Sequence, residues 1–334
     1  MARKVSWFKR LRKRAEVGLA RAGRVLLTPL PRGAILLLAR ALGSAGYWCS
    51  GQLRAIGRAN LDLVYGDQLS SAAKTRILKQ SCRTFALVAL DSIWFSSDTV
   101  ERTKCWVSLE KPLEEVFKNG KAAVCLTGHL GNWEVLGHAA AVAGFPLASV
   151  ATPLKNPAVD EFLRRARETT GQTIIERTGA VRAMLQALRR GGRVALLLDQ
   201  NTQINEGGIF VDFFGLPATV SAAGASLAYR TGTDIFFGFC IPQPDGSYRV
   251  RIPRSITPPP YDRKHVDEAV RKVTQEICSV YEDEIRACPE CWLWMYKRWK
   301  HVRPGDARNR YPFYSSELDA HLIPPSYRYE NSGH

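Results

Sequence analysis

Several common signatures of enzyme chemistry are missing from this chain of 334 residues, and each absence narrows the field. No glycine-rich loop ending in a Lys-Ser/Thr pair is present to cradle phosphates. Nor does any Gly-x-Gly-x-x-Gly turn mark a dinucleotide site, which argues against P-loop hydrolysis and nicotinamide redox chemistry. No internal repeat at a solenoid period occurs, and low-complexity and collagen-like patterns are absent. Gly224-Ala225-Ser226-Leu227-Ala228 stops one glycine short of a nucleophile elbow and lies in a helical run of small residues, so close helix packing is expected there. Zinc ligation lacks support, because His138 follows His129 by nine positions and is expected on the exterior of its helix. The eight cysteines lie mostly in apolar runs and read as small core residues. Cys288-Pro289-Glu290-Cys291 has no second pair or well-spaced His beside it, so no metal or redox role and a reducing compartment are expected.

Acidic residues are scarce: 31 Asp and Glu stand against 47 Lys and Arg, a net charge of +16. Half of that excess falls in the first 24 residues, where nine basic side chains face the single acid Glu16. Trp7, Phe8, Leu11, Ala15 and Leu19 recur at helical spacing within this cluster. A cationic helix with one apolar face suits an anionic membrane surface better than nucleic acid, which is not expected as a partner. An uninterrupted apolar span is also lacking. Residues 24–50 contain the run from Ala34 to Leu42, but Pro29, Pro31, Arg32 and Arg40 break it, and about 20 apolar residues are needed to cross a bilayer. The segment lacks the cleavage signature of a secretory signal peptide. A monotopic or re-entrant anchor is expected, with the bulk of the chain on the cytoplasmic side.

With 46% hydrophobic residues the remainder can bury a sizeable core. A long amphipathic helix is expected over 69–95, opened by Ser70-Ser71, and a shorter one over 113–118, stopped by Asn119-Gly120. Strands at 122–126, 147–151, 173–175 and 193–198 then alternate with helices at 132–143, 157–169 and 180–190. A loop over 201–217 precedes a helix through Arg230, strands at 234–240 and 248–252, and a helix over 263–287. Such alternation implies an α/β fold, a mostly parallel central sheet flanked by helices. The expected organisation is an anchoring segment over 1–50, one α/β domain over 51–305 and a tail over 306–334.

The strand ending at Leu126 runs into Thr127-Gly128-His129-Leu130-Gly131-Asn132-Trp133-Glu134, with His129 and Glu134 five positions apart. A histidine and a carboxylate at a strand-to-helix corner suit a general base and the group that orients it. Taken alone, the pair reads first as an ordinary corner with a capping His and a solvent-facing Glu, and only its context favours the base. Ligands of parallel sheets bind beyond the strands' carboxyl ends, and Asp199-Gln200 ends another strand, placing both polar groups on one rim.

Four blocks in order resemble the late acyltransferases of lipid A biosynthesis, the lauroyl- and myristoyl-transferring type within the lysophospholipid acyltransferase superfamily. The first is His129-Leu130-Gly131-Asn132-Trp133-Glu134. Next comes Arg177-Thr178-Gly179-Ala180 ahead of Gly191-Gly192-Arg193 and the strand to Asp199-Gln200. Phe210 to Thr219 follows, continuing into Leu227 to Gly232. The last is Pro289 to Lys300. The resemblance covers roughly residues 30 to 305.

It implies a glycerolipid acyltransferase-like α/β fold with an N-terminal membrane-anchoring helical segment, at the cytoplasmic face of a bacterial inner membrane. It also implies acyl carrier protein as partner, its thioester serving as co-substrate with no cofactor, and a lipid A precursor or another membrane glycolipid as acceptor. His129 would deprotonate the acceptor hydroxyl and Glu134 would orient His129. Asn132 would donate to an oxyanion or cap the helix. Arg177 would contact phosphate or sugar, and Asp199 and Gln200 would shape the rim by hydrogen bonding. Phe213 and Phe214 would flank an acyl channel or pack the core. Trp292, Trp294, Tyr296 and Trp299, interleaved with Lys297, Arg298 and Lys300, would form a headgroup-level surface. General glycerolipid acyltransferases carry Asp where this chain has Glu134, and their Glu-Gly-Thr-Arg-type block is not matched by Glu176-Arg177-Thr178-Gly179. The lysophospholipid acceptor is therefore the less favoured alternative, beside phosphoglycolipids and aminolipids.

Overall fold

The computed structural model describes residues 18, 22–117, 122–151, 156–176 and 179–319. The basic amphipathic stretch through Leu19, the Asn119-Gly120 stop, Arg177 and the last fifteen residues of the tail lie outside that set.

After a helical stretch over 22–27 come α1 (Arg32–Cys49), α2 (Gly51–Tyr65), α3 (Ser71–Trp94) and α4 (Thr99–Trp106). Ser70 caps α3 as its sequence suggested, its hydroxyl accepting the Ala73 N–H at 3.2 Å. The row Ile35, Ala39, Gly43 and Tyr47 buries one side of α1. Gly43 is obligatory there, since an added Cβ would overlap the backbone of Arg83 on α3. Among the described residues, no helix is long and apolar enough to cross a membrane.

The short strand β1 (Val107–Leu109) and helix α5 (Leu113–Val116) lead into the alternating core. Its order is β2 (Ala123–Thr127), α6 (Trp133–Val142), β3 (Ala148–Ala151), α7 (Pro157–Glu168), β4 (Thr173–Glu176), α8 (Ala180–Arg189) and β5 (Arg193–Leu197). Then follow β6 (Gly208–Phe213), β7 (Leu216–Ser221), α9 (Ala223–Thr231), β8 (Ile235–Phe237), β9 (Phe239–Pro242), β10 (Tyr248–Arg251) and α10 (Val266–Ala287). A last pair, β11 (His301–Val302) and β12 (Ser316–Glu317), pins the start of the tail.

The central sheet has the order β4-β3-β5-β2-β8, and every pairing in it is parallel. Near-continuous apolar strands such as Val194 to Leu196 fit burial by helices on both faces. A smaller sheet, β1-β10-β9, stands beside it.

Two sequence expectations fail here. The segment read as a loop over 201–217 is largely the antiparallel hairpin β6–β7, in register from Gly208↔Ser221 to Phe213↔Leu216. Its two-residue turn uses Phe214 at φ 52° and Gly215 at φ 72°, without the Asn-Gly or Asp-Gly pair that normally announces such a turn. The strand expected over 234–240 is split at Gly238 into β8, in the central sheet, and β9, in the smaller one.

Candidate active site

The site follows from strand register. β2 and β5 pair in parallel with Thr127 opposite Leu197, so two residues further on His129 and Asp199 meet at adjacent carboxyl ends. Asp199 is almost fully buried and accepts three N–H groups. His129 Nδ1 lies 2.8 Å from Oδ1, while Oδ2 takes the His129 backbone N–H at 2.8 Å and the Trp292 indole N–H at 2.9 Å. Because a carboxylate can only accept, the proton of the pair sits on Nδ1 of neutral His129, leaving Nε2 as the free base. Gly128 is needed for this approach, since a Cβ there would come within 2.9 Å of Asp199 Cγ.

Burial alone would lower the His129 pKa. The charge of Asp199, its hydrogen bond and the more distant charge of Glu134 outweigh that and hold it above the ordinary imidazole value. Burial would likewise raise Asp199, but the charge of His129 and the donors around the carboxylate hold it below the usual range.

Glu134 does not orient His129, contrary to expectation. It lies in the first turn of α6, and both its oxygens are taken by Arg167 of α7, at 2.7 and 2.9 Å. The capture leaves Glu134 acting on His129 only through space. Trp133 instead touches the imidazole, its ring edge-on with centroids 4.6 Å apart.

Asn132 is wholly buried, and the capping alternative is the one observed. Its Oδ1 accepts the Val135 N–H at 3.1 Å, and its Nδ2 donates to the Tyr248 hydroxyl at 3.0 Å. Asp91, salt-bridged to Arg32 of α1, accepts from the same Tyr248 hydroxyl. The corner is thus fastened to α1 through a buried polar network. Gly131, at φ 70°, completes the turn, with its N–H on the Cys291 carbonyl at 3.0 Å. Asn132→Ala should cost about 1–3 kcal/mol of stability, the cap plus a stranded buried partner, read as a lower denaturant midpoint.

Gln200 lies on the rim with its amide nitrogen 3.3 Å from His129 Nε2. Phe213 and Phe214 do not line the cavity. Phe213 is core, packed on Trp292 and Trp299 with centroids at 6.0 and 5.8 Å, and Phe214 forms the hairpin turn under the Arg286 guanidinium. His138 is buried rather than exterior, against Thr170 and Gln172, and burial lowers its pKa to about 4. The tryptophans of the C-terminal block are interior too. Trp292, Trp294 and Trp299 are at most 1% exposed and donate their indole N–H groups to Asp199, Pro289 and Phe213, while Arg298 stacks on Phe213. The sulfurs of Cys288 and Cys291 are bonded to each other, where the sequence suggested no pairing.

A cavity of about 760 Å³ is lined by His129, Trp133 and Gln200 together with many apolar side chains, among them Leu109, Leu136 and Leu147. Cys125 lines it, but burial pushes this thiol up to about 12, so it offers no thiolate near neutral pH. Sequence had marked neither Trp133, Trp292 nor Arg167 for the site. The two tryptophans stand inside quoted blocks, whereas nothing local flags Arg167.

A family model described as "Bacterial lipid A biosynthesis acyltransferase" matches residues 7–301. A phosphatidylinositol mannoside acyltransferase of Mycolicibacterium smegmatis is 25% identical over 250 residues, covering 74% of this chain and 76% of that one. A lipid A biosynthesis palmitoleoyltransferase of Escherichia coli is 23% identical over 288 residues, 84% of this chain and 90% of its own. Among solved structures, a 1-acyl-sn-glycerophosphate acyltransferase from Thermotoga maritima overlaps 75% of this chain and 98% of its own, at 14% identity and a TM-score of 0.34.

Proposed function

Because this chain belongs to the bacterial lipid A biosynthesis acyltransferase family, and is thus an acyltransferase, we propose that it moves a fatty acyl chain from a carrier-protein thioester to a hydroxyl of a membrane glycolipid, a lipid A precursor. The observation that carries this reading is His129 held by Asp199 beside a cavity lined mostly by apolar side chains. The acceptor hydroxyl gives its proton to Nε2 and attacks the thioester carbonyl. Nδ1–H stays on Asp199, which steadies the imidazolium as it forms. The Gln200 amide, beside Nε2, is placed to donate to the carbonyl oxygen as negative charge grows there. The tetrahedral intermediate then expels the thiolate, which recovers the proton from His129. A thioester is already activated, so no acyl-enzyme is required, consistent with the inert Cys125 thiol. Arg167 and Glu134, both lining the cavity, offer a polar contact for phosphate or sugar, and Arg177 is assigned the same task from its motif.

A mannosylated phosphoinositide is the second acceptor class, favoured by the similarity to the mycobacterial enzyme. Purified protein with acyl-carrier-protein thioester should acylate a tetra- or penta-acylated lipid A precursor. Transfer to the phosphoinositide mannoside alone would select the second acceptor, and transfer to neither would refute the reading.

Membrane attachment is supported by the exposed side of α1. Leu37 and Trp48 are each 64% exposed and Leu42 54%, with Arg40 exposed among them and Lys79 over the Trp48 ring at 5.2 Å. Apolar side chains flanked by cations suit the headgroup boundary of an anionic leaflet. Leu37→Glu with Leu42→Glu should reduce binding to phosphatidylglycerol-containing vesicles several-fold without changing the melting temperature, as checked by co-sedimentation.

A further inference from the structure

The cavity that holds His129 shares a wall with a second cavity of about 990 Å³, and four residues line both: Val116, Phe117, Phe236 and Ile252. The second cavity is otherwise ringed by polar groups, among them Lys111, Glu115, Thr233, Asp234 and Ser255. Phe117 and Phe236 thus stand between the cavity that holds His129 and a second open space.

The rings are held in place. Phe236 is the middle residue of β8. Its neighbours Ile235 and Phe237 are buried on one face of the sheet, so alternation sends Phe236 to the other, where it lies against the cluster containing Phe117 and Leu147. Phe117 packs on Phe236 with centroids 5.2 Å apart and on Phe145 at 5.3 Å. The Arg193 guanidinium lies over Phe117 at 5.0 Å and over Phe145 at 4.8 Å, and its Nε has no hydrogen-bond partner. The cation rests on the rings and backs Phe117 from the start of β5.

We propose that Phe117 and Phe236 form the floor that sets the longest acyl chain this enzyme accepts, and that the second cavity receives the end of a longer chain once the floor is cut back. This rests on the reading that the apolar cavity holds the acyl group. Each methylene buried above the floor adds affinity, and each one beyond it must displace an aromatic ring.

The test uses the full-length protein and a graded series of saturated fatty acids, lauric to stearic, competing with a fluorescent fatty acid. In the wild type, affinity should rise about fourfold per added methylene, the equivalent of about 0.8 kcal/mol, and then stop rising at one length. Phe236→Ala should move that break point to longer chains, and Val116→Phe, which thickens the same wall, to shorter ones. Opposite shifts in two variants cannot come from a general loss of packing. A break point unmoved by both, or moved the same way by both, overturns the proposal. Acyl transfer measured in parallel separates the two claims: absent turnover in the wild type strikes the function, while an unmoved break point strikes the floor.

Discussion

Replacing His129 by alanine should lower the rate of acyl transfer by roughly 10²–10⁴-fold, the contribution of a well-placed general base. The loss should fall on turnover rather than on substrate affinity, because Nε2 acts only as the acceptor hydroxyl attacks. Folding should survive. The imidazole is partly exposed to the cavity, and the buried Asp199 keeps two of its three donors, the backbone N–H of residue 129 and the Trp292 indole. Steady-state kinetics with a thioester donor and a glycolipid acceptor, alongside a thermal melt, check both halves. Full turnover in a folded His129→Ala protein would leave the cavity without its base.

Asp199→Asn should be almost as damaging, again by roughly 10²–10⁴-fold, by way of the histidine tautomer. Oδ2 of Asp199 accepts two N–H donors, the residue-129 backbone and Trp292. In the asparagine variant the amide oxygen must take that place, which turns the NH₂ group toward His129 Nδ1. Nδ1 then accepts, the proton moves to Nε2, and the lone pair facing the substrate is lost. The pH dependence carries a second signature. Wild-type activity needs neutral His129, so it should rise as pH rises through a pKa above the ordinary value of about 6.5. Removing the Asp199 charge should shift what remains of that limb to lower pH. Stability runs the opposite way. The raised His129 pKa stabilises the fold fully below about pH 6.5, and that share fades as pH rises through the folded value. The lowered Asp199 pKa stabilises it above about pH 4, and that share fades as pH falls through the folded value.

Alternating strands and helices, marked by apolar runs and capping residues, place His129 and Asp199 on one rim from sequence alone. The register Thr127↔Leu197 is what decides between Asp199 and Glu134. A spacing of five residues across a helix start suggested Glu134, but Arg167, brought in by the crossover through β3 and α7, holds that carboxylate. No local pattern announces a partner 33 residues away. The C-terminal tryptophans mislead for a related reason. Interleaved aromatics and cations look amphipathic in sequence, yet Arg298 stacks on Phe213 and each indole N–H finds an acceptor from another segment or turn, so the three tryptophans and Arg298 are buried without unpaired indoles. The hairpin β6–β7 carries no Asn-Gly or Asp-Gly turn signal, because Phe214 occupies a positive-φ position that asparagine or glycine usually marks.

Which carboxylate governs His129 is tested directly by titrating the His129 ring by NMR in the wild type, Asp199→Asn and Glu134→Gln. The wild-type imidazole should titrate above its ordinary value. In Asp199→Asn it should fall well below the wild-type value, and in Glu134→Gln it should fall only slightly, because that charge acts through space and is shared with Arg167. A drop in Glu134→Gln as large as, or larger than, that in Asp199→Asn would contradict the assignment of Asp199 as the group that orients the base.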